Sequence, residues 1–159
     1  SDGECESMLV HINWRGCVMS ATRGKRGQAF FRDLVAALDA MPEKRLITKK
    51  LEDDSGEVCA FGALGKARGV PMADIDAMLD EEDDDDMSDY LGERFGIARQ
   101  LAAEVVYTND ECFERQTPEE RWVRMRQWAA RQIRVTPEEL LPLSVGETGV
   151  GILGERVKL

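Results

Sequence analysis

Residues 57–67 read EVCAFGALGKA, and this stretch decides the fold. It is apolar on most sides and rich in glycine and alanine. A helix that is hydrophobic nearly all round is usually buried. Its small residues let a neighbouring backbone approach closely, although glycine lowers helix propensity. We predict that this stretch is the central helix of the core, with Phe61 and Leu64 buried and Gly62 and Ala63 at the closest helix–helix approach.

Amphipathic helices are predicted on both sides of this stretch. Between residues 28 and 41 the apolar residues recur with the 3.6-residue period of a helix, and Pro42 ends the pattern. Ser88 is a candidate N-cap for a short helix over 88–95. A further helix is predicted over 97–107.

The clearest local signal is Thr117-Pro118-Glu119-Glu120. It combines an N-cap threonine, a proline at the first helical position and a glutamate that can bond back to the cap. The predicted helix has an apolar stripe of Trp122, Met125, Ala129 and Ile133. Five arginines are expected on its other faces: Arg121, Arg124, Arg126, Arg131 and Arg134. The same cap recurs at Thr136, where Pro142 limits the helix to about one turn.

These segments predict a mainly α protein, a compact single-domain helical bundle of about five helices. We expect an N-terminal extension over 1–22 and one helical domain over 23–142 with an acidic loop at 80–86. A glycine-rich C-terminal tail over 143–159 has alternating apolar residues, which are typical of either a minor β-hairpin or an ordered extension. Residues 46–51 predict either a strand or a helical turn.

Charge is distributed unevenly along the chain. Residues 51–120 carry five lysines and arginines against twenty-one aspartates and glutamates, a balance of −16 in a chain of net charge −10. Seven of these carboxylates are consecutive: Asp80, Glu81, Glu82, Asp83, Asp84, Asp85 and Asp86. Such runs repel internally and are commonly solvated or part of an interaction surface. The acidic middle disfavours direct nucleic-acid binding and predicts a protein partner with a basic surface.

The compartment predicted by the sequence is the cytoplasm. No apolar run approaches the roughly 18 residues that span a bilayer, so no membrane association is expected. The opening residues lack the layout of a signal peptide, and Met8 and Met19 are candidate native starts. Four widely spaced cysteines are expected to be reduced thiols: Cys5, Cys17, Cys59 and Cys112. The oligomeric state is left open.

Five short motifs stand in order within residues 13–135: RGKRGQ at 23–28, ALDAMP at 37–42, VCAFGALG at 58–65, NDE at 109–111 and TPEERW at 117–122. This series resembles a family of small uncharacterised bacteriophage and prophage accessory proteins. The resemblance implies a context, a protein that a phage uses inside its host, where such proteins often inhibit a host factor. It implies no activity, and it leaves out the first dozen residues and the tail.

No catalytic residue is predicted. His11 is the only histidine, and it lies near the chain end, where we expect fraying. Cys59 opens the predicted central helix, where a thiol can have a lowered pKa. Paired with Asn109 or Asp110 it would suggest a cysteine hydrolase, whereas a small core residue is the simpler interpretation. Asn109 and Asp110 are in turn expected to end a helix.

A phosphate site is the other candidate. Arg23, Lys25 and Arg26 stand beside glycines just before a helix, an arrangement suited to a phosphate or nucleotide. Trp122 or Tyr107 would supply a stacking surface. No cofactor is predicted, and no metal site either, because the acidic run fails the spacing of a calcium-binding EF-hand loop.

Two functions are therefore weighed. The first is a non-enzymatic phage accessory protein that binds and inhibits a host defence protein, using its acidic run as a nucleic-acid mimic. The alternative is a small-ligand protein, either a nucleotide-binding sponge or a small cysteine-dependent hydrolase.

Overall fold

A computed structural model describes residues 2–73, 75, 84–111 and 115–139, with side chains described from residue 11 onward and, after the gap at 76–83, from residue 87. Six helices have defined bounds in this part of the chain: α1 (Asp2–Arg23), α2 (Lys25–Ala40), α3 (Ala60–Arg68), α4 (Asp84–Phe95), α5 (Arg99–Asp110) and α6 (Pro118–Gln132). The predicted mainly α bundle is confirmed. The predicted tail at 143–159, with its alternative of a hairpin, lies outside the described residues.

Two helices organise the packing. Helix α2 packs against α1, α3 and α6, and α5 packs against α1, α3, α4 and α6. The short α3 lies between them, with its first six residues, Ala60 to Gly65, all buried. Phe61 is 3% exposed and Leu64 is fully buried, in the same core as Leu34 and Leu38 of α2. The prediction that this stretch forms part of the core is confirmed.

The partner of the closest approach in α3 differs from the prediction. A Cβ placed on Gly62 would lie 1.9 Å from the carbonyl oxygen of Leu51. Leu51 belongs to the extended segment that precedes α3. The backbone that approaches Gly62 most closely is therefore this segment and not another helix. The reason is that Cys59 N–H donates to the same Leu51 carbonyl at 3.1 Å, which draws the two backbones together.

The segment from residue 46 to residue 59 is extended and folds back on itself. Ile47 N–H donates to Val58 O at 2.9 Å, and an isolated antiparallel bridge joins Glu52 to Val58. Gly56, at a φ of 88°, closes the turn between them. Of the strand and the helical turn that the sequence allowed, residues 46–51 form neither, and Lys49 lies at a left-handed φ of 68°.

Residues 1–22, predicted as an extension, are helical from Asp2 onward. Val18 of α1 is 4% exposed within the core, and Trp14 packs against it. Arg15 pairs with Glu104 of α5 at 2.8 Å. The corner to α2 is tight, because a Cβ on Gly27 would lie 1.9 Å from the carbonyl oxygen of Ala21.

The acidic segment and α4 correct two expectations. Ser88 is not an N-cap, since α4 already includes Asp84 and Ser88 is buried inside the helix. Residues 84–86 of the predicted loop 80–86 are therefore helical, whereas 80–83 lie outside the described residues. Carboxylates in the first turn of a helix interact favourably with the positive end of the helix dipole. Acidic residues are therefore compatible with the first turn of a helix.

Helix α5 also runs further than predicted, to Asp110, because the side chain of Asn109 bonds across the core instead of capping its own helix. Helix α6 begins as predicted. Thr117 Oγ1 accepts from Glu120 N–H at 3.1 Å, and Glu120 Oε1 accepts from Thr117 N–H at 2.9 Å. The second cap is present too, with Glu139 N–H donating to Thr136 Oγ1 at 3.2 Å.

After α6 the chain lies along α2. Gln28 donates to Gln132 O and accepts from Arg134 N–H, both at 2.8 Å, and Arg32 pairs with Glu139 at 2.9 Å. Within the described part of the chain, no helix combines the length and the apolar character that a membrane span requires.

Candidate functional site

The N-terminus of α3 forms one wall of the candidate site. Cys59 is the N-cap, and its Sγ accepts from Gly62 N–H at 3.4 Å. This thiol is 9% exposed and not disulfide-bonded. The first N–H of the helix, that of Ala60, donates to Asn109 Oδ1 at 3.1 Å. A side chain from α5 therefore completes the cap of α3, forty-nine residues away in sequence.

Asn109 is a structural clamp. Besides accepting from Ala60, it donates through Nδ2 to Ile47 O at 3.0 Å and to Asp110 Oδ1 at 2.6 Å. Asn109 is 3% exposed, and both hydrogens of its amide and its oxygen are engaged,. It joins α5, α3 and the extended segment, and it has no free group to orient a substrate.

Arg121 is the charged residue that this site buries. It is 6% exposed. Its guanidinium donates to Leu46 O at 2.9 Å and to Gln116 O at 3.2 Å, both uncharged carbonyls. Its Nε is buried without a hydrogen-bond partner. No described carboxylate forms an ion pair with it, so among the described residues the groups that face this buried positive charge are the dipoles of two carbonyls.

These residues line a cavity of about 520 Å³ between α3, α4, α5, α6 and the extended segment. Cys59, Asn109 and Arg121 lie on its polar side, beside Lys49 and Lys50. The carboxylates of Asp110 and Glu111 share the lining. The apolar lining comes from Leu51, Phe61, Met87, Leu91 and Val106. A cavity of this size that combines apolar walls with a few charged groups is typical of small-molecule sites.

The structure brings together the residues of the hydrolase alternative, Cys59, Asn109 and Asp110, in this one cavity. It does not bring the histidine there. His11 is exposed on α1, in a helix and not in a frayed end, and is not part of the lining. The thiol therefore has a helix N-terminus and a nearby carboxylate as its surroundings, but no imidazole to act as a general base.

The predicted phosphate residues lie elsewhere. Arg23, Lys25 and Arg26 are all exposed at the corner between α1 and α2. Lys25 and Arg26 line a second cavity of about 450 Å³, beside Gly24, which caps α2 without a side-chain hydrogen bond. Lys25 and Arg26 lie in the first turn of α2 and not before it, so the predicted position of these cations is one turn off, although they do lie beside an uncapped helix N-terminus.

The predicted stacking residues do not accompany these cations. Trp122 donates through Nε1 to Leu38 O at 3.2 Å. Leu38 is near the far end of α2, about 20 Å along the axis from Lys25 at 1.5 Å per residue,. Tyr107 is exposed but is absent from the lining of this cavity. The nucleotide hypothesis therefore loses its stacking surface.

The acidic partner-binding candidates are described only in part. Asp80, Glu81, Glu82 and Asp83 lie outside the described residues, and of Asp84, Asp85 and Asp86 only the helical backbone is described. Further along α4, Asp89 and Glu93 are exposed, and Asp89 lies 3.6 Å from Arg99. Among the described residues, no group of three or more histidine, cysteine, aspartate or glutamate side chains is placed to hold a metal ion.

Sequence reasoning missed Arg121. It was assigned to an outer face of α6, although it precedes the buried Met125 and Ala129 at four-residue spacing and so shares their face. That spacing is the signal that predicts its burial. Its neighbour Arg124 was missed as well, and it donates to Gln116 Oε1 at 2.6 Å and to Thr108 O.

Comparisons with protein-family models, with curated proteins and with solved structures each find no match to this chain.

Proposed function

We propose that this chain is a non-enzymatic binding protein whose acidic middle part occupies the basic surface of a partner protein. The observation that carries the proposal is the charge balance of −16 over residues 51–120, with seven consecutive carboxylates at 80–86. Clustered charge of one sign speeds association with an oppositely charged surface and discourages other partners.

The described part of α4 supports this proposal. The backbone is helical from Asp84, so the end of the acidic run continues into a helix that carries the exposed Asp89 and Glu93. A helix holds charges at regular spacing, as a nucleic-acid backbone does. We propose on this ground that the acidic surface acts as a nucleic-acid mimic.

The biological context is proposed from the motif series alone. The order of motifs between residues 23 and 122 resembles bacteriophage and prophage accessory proteins. In that context the partner is a host protein, for instance a nucleic-acid-binding defence protein that the chain inhibits, and the chain acts in the cytoplasm of a bacterial host.

The test compares two variants of equal charge. One neutralises Asp83–Asp86 with asparagine, and the control neutralises four exposed carboxylates outside the acidic middle, Asp33, Glu43, Glu138 and Glu139, with the matching amides. Each variant is immobilised and incubated with host lysate, and bound proteins are eluted with rising salt and, separately, with duplex DNA.

We expect the wild-type chain and the control to retain the same proteins, released by DNA and by moderate salt because exposed charges are screened. The run variant should lose them while keeping its melting temperature. Equal recovery by the run variant would remove the acidic surface from the proposal, and resistance to DNA would remove the mimic.

A second candidate is a small-ligand protein, favoured by the cavity that Cys59, Asn109 and Asp110 share. It covers a nucleotide sponge that uses Arg23, Lys25 and Arg26, and a small cysteine-dependent hydrolase. Thermal-shift screening with linear and cyclic nucleotides tests the first form, because a ligand at 100 times its Kd stabilises a protein by about 2.7 kcal/mol. For the second form, Cys59→Ser should abolish the biological effect without changing the melting temperature.

A further inference from the structure

We propose that the cavity beside α3 binds a small organic carboxylate with an apolar body, held by the guanidinium of Arg121. This inference deepens the small-ligand candidate by naming its ligand class and moves the site away from Arg23, Lys25 and Arg26. It is independent of the acidic surface.

The first argument is the unbalanced charge of Arg121. Burying an ion is costly unless it is paired and hydrogen-bonded. Arg121 is 6% exposed, forms no ion pair with a described carboxylate, and donates two hydrogen bonds to carbonyl oxygens. A guanidinium has five N–H donors, and its Nε here has no partner,. A carboxylate is the anion whose planar geometry matches such a fork.

The second argument is the surrounding field. Helix α3 directs its N-terminus toward the cavity through Cys59, a lining residue, and a helix N-terminus attracts anions,. Lys49 and Lys50 are exposed members of the same lining, and Lys49 is held at a left-handed φ of 68°. Three cations and a helix end thus lie around one space.

The third argument concerns which anion fits. Asp110 and Glu111 belong to the same lining. With Lys49, Lys50 and Arg121 they leave a net charge of +1, which balances one carboxylate and would leave the further charges of a polyphosphate uncompensated,. The buried side chains of Leu51, Phe61 and Leu91 supply apolar walls. A ligand with one carboxylate and a hydrocarbon body satisfies both features.

The experiment measures binding of sodium octanoate and of 1-octanol to the full chain by calorimetry and by NMR chemical shifts. The two probes share a hydrocarbon chain and differ in charge. We expect octanoate to bind about tenfold or more tightly than octanol, because a charged hydrogen bond discriminates by that order. Chemical shifts should change at the amides of Lys49, Lys50 and Ala60. Equal affinities, or no octanoate binding, would overturn the proposal.

Variants then assign the contact. Arg121→Gln should lose about tenfold or more in octanoate affinity and keep its octanol affinity. Because Arg121 also binds Leu46 O and Gln116 O, this variant risks unfolding, so the exposed Lys50 and the half-buried Asp110 provide a second route. Lys50→Gln should weaken octanoate a few-fold, and Asp110→Asn should tighten it a few-fold, since it removes a like charge.

Matched controls outside the lining are Lys25→Gln and Glu93→Gln, which should leave octanoate binding unchanged. If the controls shift affinity as much as Lys50→Gln and Asp110→Asn do, the effect belongs to net charge and the cavity is not the site. Failure here leaves nucleotide binding at Lys25 and Arg26 open, because that candidate is tested with different ligands.

Discussion

Asn109 joins three parts of the chain with a single amide group. Its oxygen accepts from Ala60 N–H at the start of α3, and its nitrogen donates to Ile47 O in the extended segment. Both partners are far away in sequence, so no local sequence pattern predicts these hydrogen bonds. At the residue scale this clamp explains why a polar side chain is buried between apolar helices.

Removing the amide should destabilise the fold. We predict that Asn109→Ala lowers the free energy of unfolding by about 2–3 kcal/mol, because a buried N–H and a buried carbonyl lose their partner. Urea unfolding measures this. The control is Asn13→Ala on the exposed face of α1, which should change stability by less than about 0.5 kcal/mol,. A loss at Asn109 no larger than that at Asn13 would contradict the clamp.

A pH dependence is expected at Asp39. Arg126 donates to both carboxylate oxygens at 2.9 Å, and this hydrogen bonding lowers the pKa of Asp39 below its ordinary value. A lowered folded-state pKa contributes stability above the unfolded pKa, about 3.9 for aspartate, and this stability is lost as pH falls through the folded pKa.

Wild type should therefore be more stable than Asp39→Asn at pH 6, and the two should converge as the pH falls through the lowered pKa of Asp39,. Because the pair is half exposed, the difference should be small and should shrink in 1 M salt,. Denaturation midpoints measured from pH 2.5 to 7 check this. A constant difference across that range would show that the carboxylate charge contributes nothing.

At the scale of elements, α3 can pack where it does because two of its glycines carry no side chain. Gly62 lets the Leu51 carbonyl approach, and Gly65 faces Met72, whose Sδ would lie 2.8 Å from an added Cβ. The helix gives up intrinsic propensity at both positions. Close packing against the extended segment and against α2 and α5 compensates for the lost helix propensity.

Two glycines should respond oppositely to the same substitution. Gly62→Ala should destabilise by at least about 1–3 kcal/mol, because its Cβ would lie 1.9 Å from backbone that must move,. Gly16→Ala on α1 has nothing within 4 Å and should stabilise by about 0.5–1 kcal/mol, since alanine restricts the unfolded chain and favours helix,. Thermal unfolding of both variants is the measurement. A stabilising Gly62→Ala would refute the close approach.

At the scale of the whole molecule, α1 is part of the packed bundle. It contributes Val18 to the core and packs against both α2 and α5. The sequence did not predict this, because the apolar residues of α1 do not gather on one face: Val18 is buried, whereas Ile12 and Met19 are exposed. The contribution of α1 to the core follows from its contacts with α2 and α5.

Two truncations test how much of α1 the bundle needs. A chain that starts at Met8 keeps Trp14 and Val18, and its free energy of unfolding should be close to that of the full chain. A chain that starts at Met19 loses both, and we predict a loss of about 2–4 kcal/mol, from one buried valine and part of a tryptophan. Guanidinium titration of the three chains gives the values. Equal stability of the two truncations would mean that α1 packs only loosely.

Local chemistry determined what the sequence could show by itself. The capping box at Thr117 and Glu120, the period of α2 and the small-residue character of α3 all depend on residues within about one or two turns of each other. The mainly α bundle follows from those signals. The bounds of α4 and α5 did not follow, because carboxylates and Asn109 act there as helix residues and not as breakers.

The tertiary structure alone decided the candidate site. Arg121 finds Leu46 O seventy-five residues away, and Asn109 finds Ala60 forty-nine residues away. Whether such a polar side chain caps its own helix, faces solvent or bridges two segments depends on which backbone groups the fold leaves unpaired nearby. The charge of the acidic middle is a sum over the sequence and needs no fold. The cavity with its buried guanidinium exists only where five separate segments meet.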